Sequence, residues 1–310
     1  MVSSHPVADS PSEIPAVDIV TVTYNSARHL DEYFQGLSKL DFPPDRLRLI
    51  VVDNASSDNT RDKLRSSFGA LPFPAELIAS NENLGFGAGC NIGARNGQAP
   101  LMLFLNPDGV VAPDSLQWLV RRAISEPRSG LIDAALEPVA IGKVWDSETG
   151  DTDWCTGAAV LARREAFDEV GGFDEFFFLY SEDVDLSWRV WLAGWRCIHE
   201  PRARVRHETT LDGIEKPITM YYSIRNSFAM RLIYDSAGGV RSHVVRGLRY
   251  LASPRTVAAT RLAVLAGLWF SMRQLPHLLQ RRRSARASLA TCAHREHFIF
   301  SEWFYGRFVD

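Results

Sequence analysis

The chain has 310 residues, of which 46% are hydrophobic and 23% charged, so it can build a sizeable core and disorder is not its expected state. The formal net charge of −3 hides an uneven distribution of charge along the chain. The four cysteines form no CxxC or cysteine/histidine spacing, which excludes a zinc site or a disulfide framework and favours reduced, mostly buried thiols.

The first 15 residues are rich in serine, proline and acid and contain no continuous apolar block. We therefore predict a flexible tail over residues 1–15 and not a signal peptide. A chain without a signal peptide is expected to stay in the cytosol.

Short apolar runs alternate with helical patterns over the next hundred residues. The runs predict buried strands at Asp18–Tyr24, Leu47–Asn54, Ala75–Ser80 and Leu101–Asp108. Helices are predicted from Ser57 onward and at Arg28–Leu40, whose apolar face carries Leu30, Phe34 and Leu37. Such alternation is typical of βαβ units, so we predict an α/β fold with a mostly parallel sheet and helices on both faces.

All four predicted strands end in, or run into, polar residues. These are Thr23 to Asn25, Asp53 and Asn54, Asn81 to Asn83, and Asn106 to Asp108. For any one of them a turn or a helix cap is an alternative explanation, because Asn and Asp favour both for local reasons. Their recurrence at four successive strand ends favours a ligand site, since ligands of such sheets bind beyond the carboxyl ends of the strands.

The stretch NLGFGAGCNIGA, residues Asn83–Ala94, is rich in glycine but does not match a dinucleotide-binding fingerprint. Counting from Gly85, the third glycine would have to stand at position 90, which is Cys90, and the stretch follows the third strand instead of the first. An ATPase GxxxxGK[ST] loop is absent as well. The low side-chain bulk suits either close approach of a ligand or close helix packing.

Three carboxylates, Glu182, Asp183 and Asp185, follow an aromatic run at the start of a predicted amphipathic helix. Acids in a first helical turn are stabilised by the exposed amides and the helix dipole, which is one explanation of the group. A catalytic role is the other, and these three residues alone do not decide between the two.

The region from Ser236 to Arg295 contains 11 arginines, no lysine and no acid, so it is strongly basic beside an acidic body. Its apolar run Leu262–Met272 is shorter than the roughly 20 residues that cross a bilayer. We predict a basic helical region over residues 236–310 with an interfacial helix that contacts an anionic membrane. Nucleic acid is the disfavoured partner, because no nucleic-acid motif is present.

Six segments together resemble the inverting GT-A glycosyltransferases of family 2, and in particular their rhamnosyltransferase-like bacterial branch. They span residues 17–226 in the family's order and are VTYN (Val22–Asn25), VVDNASSDNT (Val51–Thr60), NLGFGAGCNIG (Asn83–Gly93), LNPDG (Leu105–Gly109), TGAAVLARREAFDEVGGFDEFFFLYSEDVDLSWR (Thr156–Arg189) and PRARVRHE (Pro201–Glu208). The resemblance implies a GT-A catalytic domain at residues 16–235.

The resemblance also implies a division of labour among the acidic residues. Asp183 corresponds to the family's general base, which takes the proton of the acceptor hydroxyl. Glu182 would orient the acceptor, and Asp185 would cap the helix. Asp108 and His207 correspond to the ligands of a divalent metal, Mn²⁺ or Mg²⁺, that bridges the donor diphosphate.

The remaining implied contacts concern the donor and the acceptor. Nucleotide contacts are implied for Thr23, Asn25, Asp53, Asn83, Asn91, Asn106 and Asp108, and acceptor contacts for Trp154, Tyr180, Glu182 and Arg225. The implied donor is a dTDP- or UDP-linked sugar, with dTDP-rhamnose favoured by the NPD triplet and UDP-galactofuranose and UDP-N-acetylglucosamine left open. The implied acceptor is a glycan or a lipid-linked sugar, reached from the cytoplasmic face of the cell membrane.

Two other classes of protein stay open. A sugar nucleotidyltransferase would need a glycine-rich, basic loop directly after the first strand, where this chain has TYNSARHL. A non-catalytic nucleotide-sugar-binding subunit would keep Asp53 and the glycine-rich stretch but would tolerate loss of the base. The intact Glu182-Asp183 pair argues against such a subunit.

Overall fold

The computed structural model describes residues 14–138, 143–207, 217–252 and 258–291, so most of the predicted tail and residues 292–310 lie outside it. Its strands are β1 Val17–Thr23, β2 Leu47–Asp53, β3 Ala75–Ala79, β4 Leu101–Leu105, β5 Gly109–Val111, β6 Ser129–Glu137, β7 Ala159–Arg163 and β8 Arg196–His207. Within the described residues they form one sheet of order β3-β2-β1-β4-β7-β6-β8-β5.

The helices lie around this sheet and extend beyond it at the carboxyl end of the chain. They are α1 Leu30–Ser38, α2 Thr60–Ser67, α3 Phe86–Asn96, α4 Ser115–Ser125, α5 Arg164–Glu169, α6 Glu182–Leu192, α7 Pro217–Tyr234, α8 Ala237–Ala252, α9 Ala258–Arg273 and α10 Leu275–Thr291. The predicted α/β class and the helical carboxyl-terminal part are therefore confirmed.

The first four strands pair in parallel, and their apolar runs are buried because both faces of the sheet are covered. On β4, Leu101, Leu103 and Leu105 pack into one core cluster, while Met102 and Phe104 pack into another. Alternate residues thus serve opposite faces, which explains a continuous apolar run instead of an alternating one. The predicted apolar face of α1 is likewise buried in the first cluster.

The second half of the sheet brings distant parts of the chain together. Strand β7 runs antiparallel to both β4 and β6, and β8 runs parallel to β6. Short β5 pairs antiparallel with the end of β8, with Gly109 opposite His207. This register places the turn between β4 and β5 beside the last residue of β8.

The predicted elements differ from the observed ones at their ends. The first three predicted strands run one residue too far, and the fourth ends at Leu105 because Asn106 to Asp108 form the turn into β5. Helix α1 is two residues shorter at each end than predicted. Helix α2 begins at Thr60 and not at Ser57, because side chains of other segments accept the amides of Ser56 and Ser57.

Helices α7 and α10 pack on α6 through a third core cluster. Its members are Trp154, Phe177, Val184, Trp188, Ala229, Met230, Ile233, Tyr234, Leu278 and Ala285. Residues on both sides of the predicted boundary at residue 235 therefore share one core cluster. The division into two domains stays a prediction. No helix in the described ranges is both long enough and apolar enough to cross a membrane.

The predicted apolar run lies within α9 and presents one exposed face. Leu262, Leu265, Trp269 and Met272 recur at helical spacing and are 54–68% exposed. We call these four residues the α9 stripe. The predicted state of the thiols is confirmed for Cys90, Cys155 and Cys197, which are free and buried.

Candidate active site

The carboxyl ends of β1 and β2 meet at a buried carboxylate. Asp53 pairs with Thr23 across the two strands, and the Thr23 hydroxyl donates to Asp53 Oδ1 over 2.9 Å. Asp53 also accepts from the hydroxyl and the amide of Ser56 and forms an ion pair with Arg61. Burial alone raises the pKa of Asp53, but the hydrogen bonds from Ser56 and Arg61 hold it below its ordinary value. A nucleobase N–H could bind Asp53 only by sharing or displacing one of these donors.

Asn25 shapes the loop that follows β2. Its φ of 51° lies in the left-handed region, which Asn tolerates better than most residues. Its side-chain oxygen accepts hydrogen bonds from the backbone amides of Ser57 and Asp58. Its backbone amide donates to the Ser56 hydroxyl over 2.9 Å. The neighbouring Tyr24 is 52% exposed at the end of β1, an aromatic surface that the sequence analysis did not assign.

The glycine-rich stretch is explained here by close packing. Gly85 has a φ of 89°, and a Cβ there would lie 2.5 Å from the carbonyl oxygen of Phe178. A Cβ at Gly93 would lie 2.4 Å from the Val20 side chain on β1. Of the two explanations left open by the sequence, close packing accounts for these two glycines.

The two asparagines of this stretch have different surroundings. Asn83 is half-buried, and its side chain accepts the Gly85 amide over 3.0 Å. Asn91 is buried and bonds both backbone groups of Phe173, and its second amide hydrogen reaches Glu175. Asn91 therefore connects α3 to the segment that precedes α6. Both hydrogens of its side-chain amide are bonded within the protein.

The predicted metal ligands lie side by side. His207 Nε2 is 3.3 Å from Asp108 Oδ1 and 3.5 Å from the Asn106 amide nitrogen. Burial alone raises the pKa of Asp108, but the hydrogen bond and charge of His207 outweigh burial and lower it below its ordinary value. In the described part of the chain, no three His, Cys, Asp or Glu side chains are grouped to hold a metal.

Asp183 sits in the first turn of α6 with its carboxylate oriented by backbone amides. The Gly157 amide donates to Oδ2 over 3.0 Å, and the Val184 amide donates to Oδ1 over 2.9 Å. Asp183 is half-buried, whereas the neighbouring Glu182 is buried against α3. The residue predicted as base is thus the more accessible of the pair.

The chain enters α6 through a strained turn. Tyr180 and Ser181 have φ values of 68° and 70°, which side chains rarely adopt in succession. The side-chain amide of Asn226 donates to the carbonyls of Leu179 and Tyr180, over 2.8 and 2.6 Å. Helix α7 therefore holds the turn that carries Tyr180, a predicted acceptor contact, and that leads to Asp183.

The prediction that Asp185 caps α6 is wrong. Its side chain is fully buried and accepts from Arg189, Tyr234 and Arg281 over 2.7–2.8 Å. Asp185 points into the molecule because α7 and α10 cover this side of α6. Arg281 also forms an ion pair with Asp174, so it bridges two carboxylates on either side of the strained turn.

Trp154 lies in a buried, charged neighbourhood. It is only 7% exposed, and the Lys143 ammonium lies 5.1 Å from its ring centroid. Lys143 pairs with fully buried Asp133, which also bonds His199 over 2.9 Å. Burial alone raises the pKa of Asp133, but the charges of Lys143 and His199 lower it below its ordinary value.

This buried cluster connects to the predicted base through two successive amides. The Thr156 amide donates to Asp133, and the next amide, of Gly157, donates to Asp183. Asp133, Lys143 and His199 could not be predicted as a group from the sequence, because no spacing in the chain links them.

Arg225 is 4% exposed, and its guanidinium lies 4.7–5.0 Å from the ring centroids of Phe176, Tyr222 and Phe270. It donates to the Phe176 carbonyl and to the neighbouring Asn226 side chain. Desolvation lowers the pKa of Arg225 below its ordinary value. Arg225 belongs to α7, so it is positioned by the same helix that holds the strained turn.

The predicted site residues therefore form three groups. One comprises Thr23, Asn25 and Asp53, the second Asn106, Asp108 and His207, and the third the segment from Tyr180 to Asp183 with Arg225 and Asn226 behind it. Asn91 bonds Phe173 and Glu175, which precede the third group. Arg61 was missed although it comes only two residues after the DNASSDN stretch. These groups supply chemistry suited to proton transfer and phosphate binding. They contain the oriented carboxylate of Asp183, the pair of Asp108 and His207, and polar strand ends.

Comparisons with known proteins identify the family of the chain. A model of glycosyl transferase family 2 matches residues 18–185, and a model of glycosyl transferase family group 2 matches residues 141–289. The N-acetylglucosaminyl-diphospho-decaprenol L-rhamnosyltransferase of Mycobacterium tuberculosis is 28% identical, with 61% of this chain and 75% of that protein covered.

Solved structures share the fold at low sequence identity. The mannosyltransferase PcManGT from Pyrobaculum calidifontis, in complex with GDP-Man and Mn²⁺, has a TM-score of 0.57 at 18% identity and covers 94% of this chain and 79% of its own. Staphylococcus aureus TarS 1–349 in complex with UDP-GlcNAc has a TM-score of 0.59 at 15% identity and covers 88% of both chains. With a family model over more than half of its length and GT-A neighbours in structure, this chain belongs to glycosyl transferase family 2 and has the GT-A fold.

Proposed function

We propose that the protein is an inverting glycosyltransferase that moves rhamnose from dTDP-rhamnose to a hydroxyl of a glycan or lipid-linked acceptor in cell-envelope polysaccharide synthesis. The observation that carries this proposal is the half-buried Asp183 carboxylate, oriented by the amides of Gly157 and Val184 at the start of α6. Rhamnose as the sugar is supported by the NPD triplet and by the 28% identical rhamnosyltransferase.

In this proposal Asp183 acts as the general base. It takes the proton of the acceptor hydroxyl while the hydroxyl oxygen attacks the anomeric carbon of the donor. The bond from that carbon to the diphosphate breaks on the opposite side, so one displacement inverts the configuration without a covalent intermediate. A carboxylate suffices because proton removal is concerted with attack. Glu182, Trp154 and Tyr180 are proposed to position the acceptor.

Asp108 and His207 are proposed to hold a divalent cation. A carboxylate and an imidazole 3.3 Å apart fit Mn²⁺ or Mg²⁺ if the donor diphosphate and water supply the other ligands. Bound there, the cation would stabilise the charge of the departing diphosphate. Asn106, beside His207, is proposed to contact the ribose.

The nucleotide is proposed to lie along the carboxyl ends of β1 and β2. Thr23, Asn25 and Asp53 would line the base and ribose, with Asn83 and Asn91 contributing from the glycine-rich side. Asp53 and Asn91 already have protein partners, so we expect them to act mainly by shaping this wall. UDP-galactofuranose and UDP-N-acetylglucosamine are the alternative donors, and a non-catalytic nucleotide-sugar-binding subunit is the alternative of another class.

A donor screen tests the proposal. Transfer and donor hydrolysis are measured with dTDP-rhamnose, UDP-galactofuranose, UDP-N-acetylglucosamine and UDP-glucose, each with Mn²⁺ or Mg²⁺. We expect the highest rate with dTDP-rhamnose. A higher rate with a UDP-sugar would replace rhamnose but keep the reaction class. Binding of a donor without transfer or hydrolysis of any would favour the non-catalytic subunit.

Replacing Asp108 with alanine should weaken metal-dependent donor binding by about tenfold or more, because the only carboxylate beside His207 in that turn is lost. The measurement is calorimetric titration of donor nucleotide with and without Mn²⁺. Asp114→Ala, an acid at the start of α4, serves as the matched control. Unchanged donor and Mn²⁺ affinity in Asp108→Ala would place the metal elsewhere.

Peripheral membrane association is proposed through the α9 stripe. Arg281 and Arg282 are engaged within the protein, so the predicted lipid contact shifts to the exposed arginines Arg241, Arg249, Arg273, Arg283 and Arg286 and to the stripe itself. An apolar helix face flanked by positive charge matches the surface of an anionic bilayer.

The triple variant Leu262→Ser, Leu265→Ser and Trp269→Ser should sediment less with anionic vesicles than the parent, because the apolar part of the contact is removed. Parent binding should weaken as salt rises and should be low with zwitterionic vesicles. Ile124→Ser, an exposed apolar position on α4, is the control. Equal sedimentation of the triple variant and the parent, or no binding by either, would contradict membrane association through this stripe.

A further inference from the structure

A cavity of about 450 Å³ lies between α7, the α9–α10 junction and the segment that leads to α6. Its walls include Phe176, Tyr222, Arg225, Phe270, Gln274 and His277, together with the two acids Asp174 and Glu175. A second cavity of about 410 Å³ is lined by Trp269 and Arg273 and shares Phe270 and Gln274 with the first. Together the two cavities lead from Arg225 to Trp269 of the exposed α9 stripe.

Arg225 is a buried cation on the wall of the first cavity. Its hydrogen bonds go to a carbonyl, a side-chain amide and the Tyr221 hydroxyl, which are neutral acceptors. No carboxylate of the described residues forms an ion pair with it, although buried charges are normally paired. The three surrounding rings offset part of the free-energy cost of desolvating Arg225. An anion in the cavity would pair with its charge and offset the rest.

The acids near this cavity already have partners. Asp174 is paired with Arg281, and Glu175 accepts from the Asn91 side chain. Arg273 and His277 add positive or ionisable groups to the walls. Arg225 and Arg273 are therefore the lining cations available to an anionic ligand.

The surroundings of Arg225 also connect the cavity to the reaction centre. Arg225 holds the Phe176 carbonyl, and the next residue, Asn226, holds the carbonyls of Leu179 and Tyr180. Three positions after Tyr180 comes Asp183. A ligand against Arg225 would thus lie beside the segment that carries the base.

We propose that these two cavities bind the phosphate end of an acceptor with a long apolar chain: the phosphate lies against Arg225, and the chain passes Trp269 onto the α9 stripe. An isoprenyl diphosphate has this chemistry. The inference rests on the proposed function only in naming this ligand the acceptor. The donor diphosphate is the other source of the same anion, and the test separates the two.

The test is calorimetric binding to the full chain with farnesyl diphosphate, farnesol, inorganic diphosphate, UDP and dTDP as probes. We expect farnesyl diphosphate to bind at least about tenfold more tightly than farnesol or diphosphate, because it alone carries both groups. Arg225→Gln should weaken farnesyl diphosphate about 10- to 100-fold, as expected for loss of a charged hydrogen bond, and should leave UDP and dTDP unchanged. Arg225→Lys should retain part of the affinity, and Arg95→Gln, an exposed arginine on α3, should retain all of it.

A second variant tests the cavity without altering Arg225, which also holds the Phe176 carbonyl. Gln274→Trp fills the wall that the two cavities share, so farnesyl diphosphate affinity should fall with no change in nucleotide affinity. Unchanged farnesyl diphosphate affinity in Gln274→Trp overturns the proposal whatever the Arg225 variants do. An equal loss of UDP or dTDP affinity in Arg225→Gln also overturns it, because Arg225 would then bind the donor. If the parent transfers sugar but does not bind farnesyl diphosphate, this inference fails and the proposed function stands.

Discussion

Replacing Asp183 with asparagine should reduce sugar transfer by about 10²- to 10⁴-fold, the range that a general base contributes. Asparagine keeps an oxygen for the Gly157 amide, so the turn should stay in place, but it cannot take a proton. The measurement is the transfer rate at saturating donor and acceptor, together with donor affinity by calorimetry. We expect donor affinity to change little, because the substitution alters the group that takes the acceptor's proton and one amide contact, of Val184, but no proposed donor contact.

Asp168→Asn is the matched control, because Asp168 is an exposed acid on the neighbouring helix α5. It should transfer at the parent rate. Near-parent transfer by Asp183→Asn would exclude Asp183 as the base and would direct the search to Glu182. A variant that loses transfer and donor affinity equally would point to a disturbed site instead of a lost base.

Replacing Arg281 with glutamine should lower the free energy of unfolding by about 3 kcal/mol, at the low end of the range for breaking a buried ion pair. The substitution leaves Asp174 with only His277 of α10, 3.8 Å away, while Asp185 keeps Arg189 and Tyr234. Urea unfolding at equilibrium measures the change. A drop of this size is large beside the 5–15 kcal/mol that typically stabilises a domain.

Arg283→Gln is the control within the same helix, because Arg283 is exposed where Arg281 is mostly buried. It should change stability by less than about 0.5 kcal/mol. A double-mutant cycle of Arg281→Gln with Asp174→Asn should give a coupling energy of about 0.5–3 kcal/mol. Equal stability of Arg281→Gln and Arg283→Gln would mean that the ion pairs of Arg281 do not stabilise the fold.

Much of the first half of the fold could be predicted from the sequence, because its strands are buried on both faces and bounded by polar turns. The runs at β1, β2, β3 and β4 gave those strands to within one residue, apart from the fourth, where a proline turn follows Leu105. The short β5 and the antiparallel β7 could not be predicted in this way, because their pairing depends on segments far away in the chain.

The candidate site was predictable where local residue types carry the chemistry. Asp108 and His207 were expected to act together, and they lie 3.3 Å apart. Asp185 could not be assigned from its position in a first helical turn, because its partners Tyr234 and Arg281 come from α7 and α10. The cluster of Asp133, Lys143 and His199 could not be predicted for the same reason, because its members come from separate segments that only the fold brings together.

The pairing of β5 with β8 has a consequence for synthesis of the chain. Asn106 and His207 are 101 residues apart in sequence, so a ribosome adding about 5–20 residues per second needs roughly 5–20 s to go from one to the other. The strands β1 to β4 can pair in that interval, so the polar ends of β1 and β2 form while Asp108 still lacks His207. Under the proposed function, a nascent chain would present its nucleotide contacts on β1 and β2 before its two proposed metal ligands could meet.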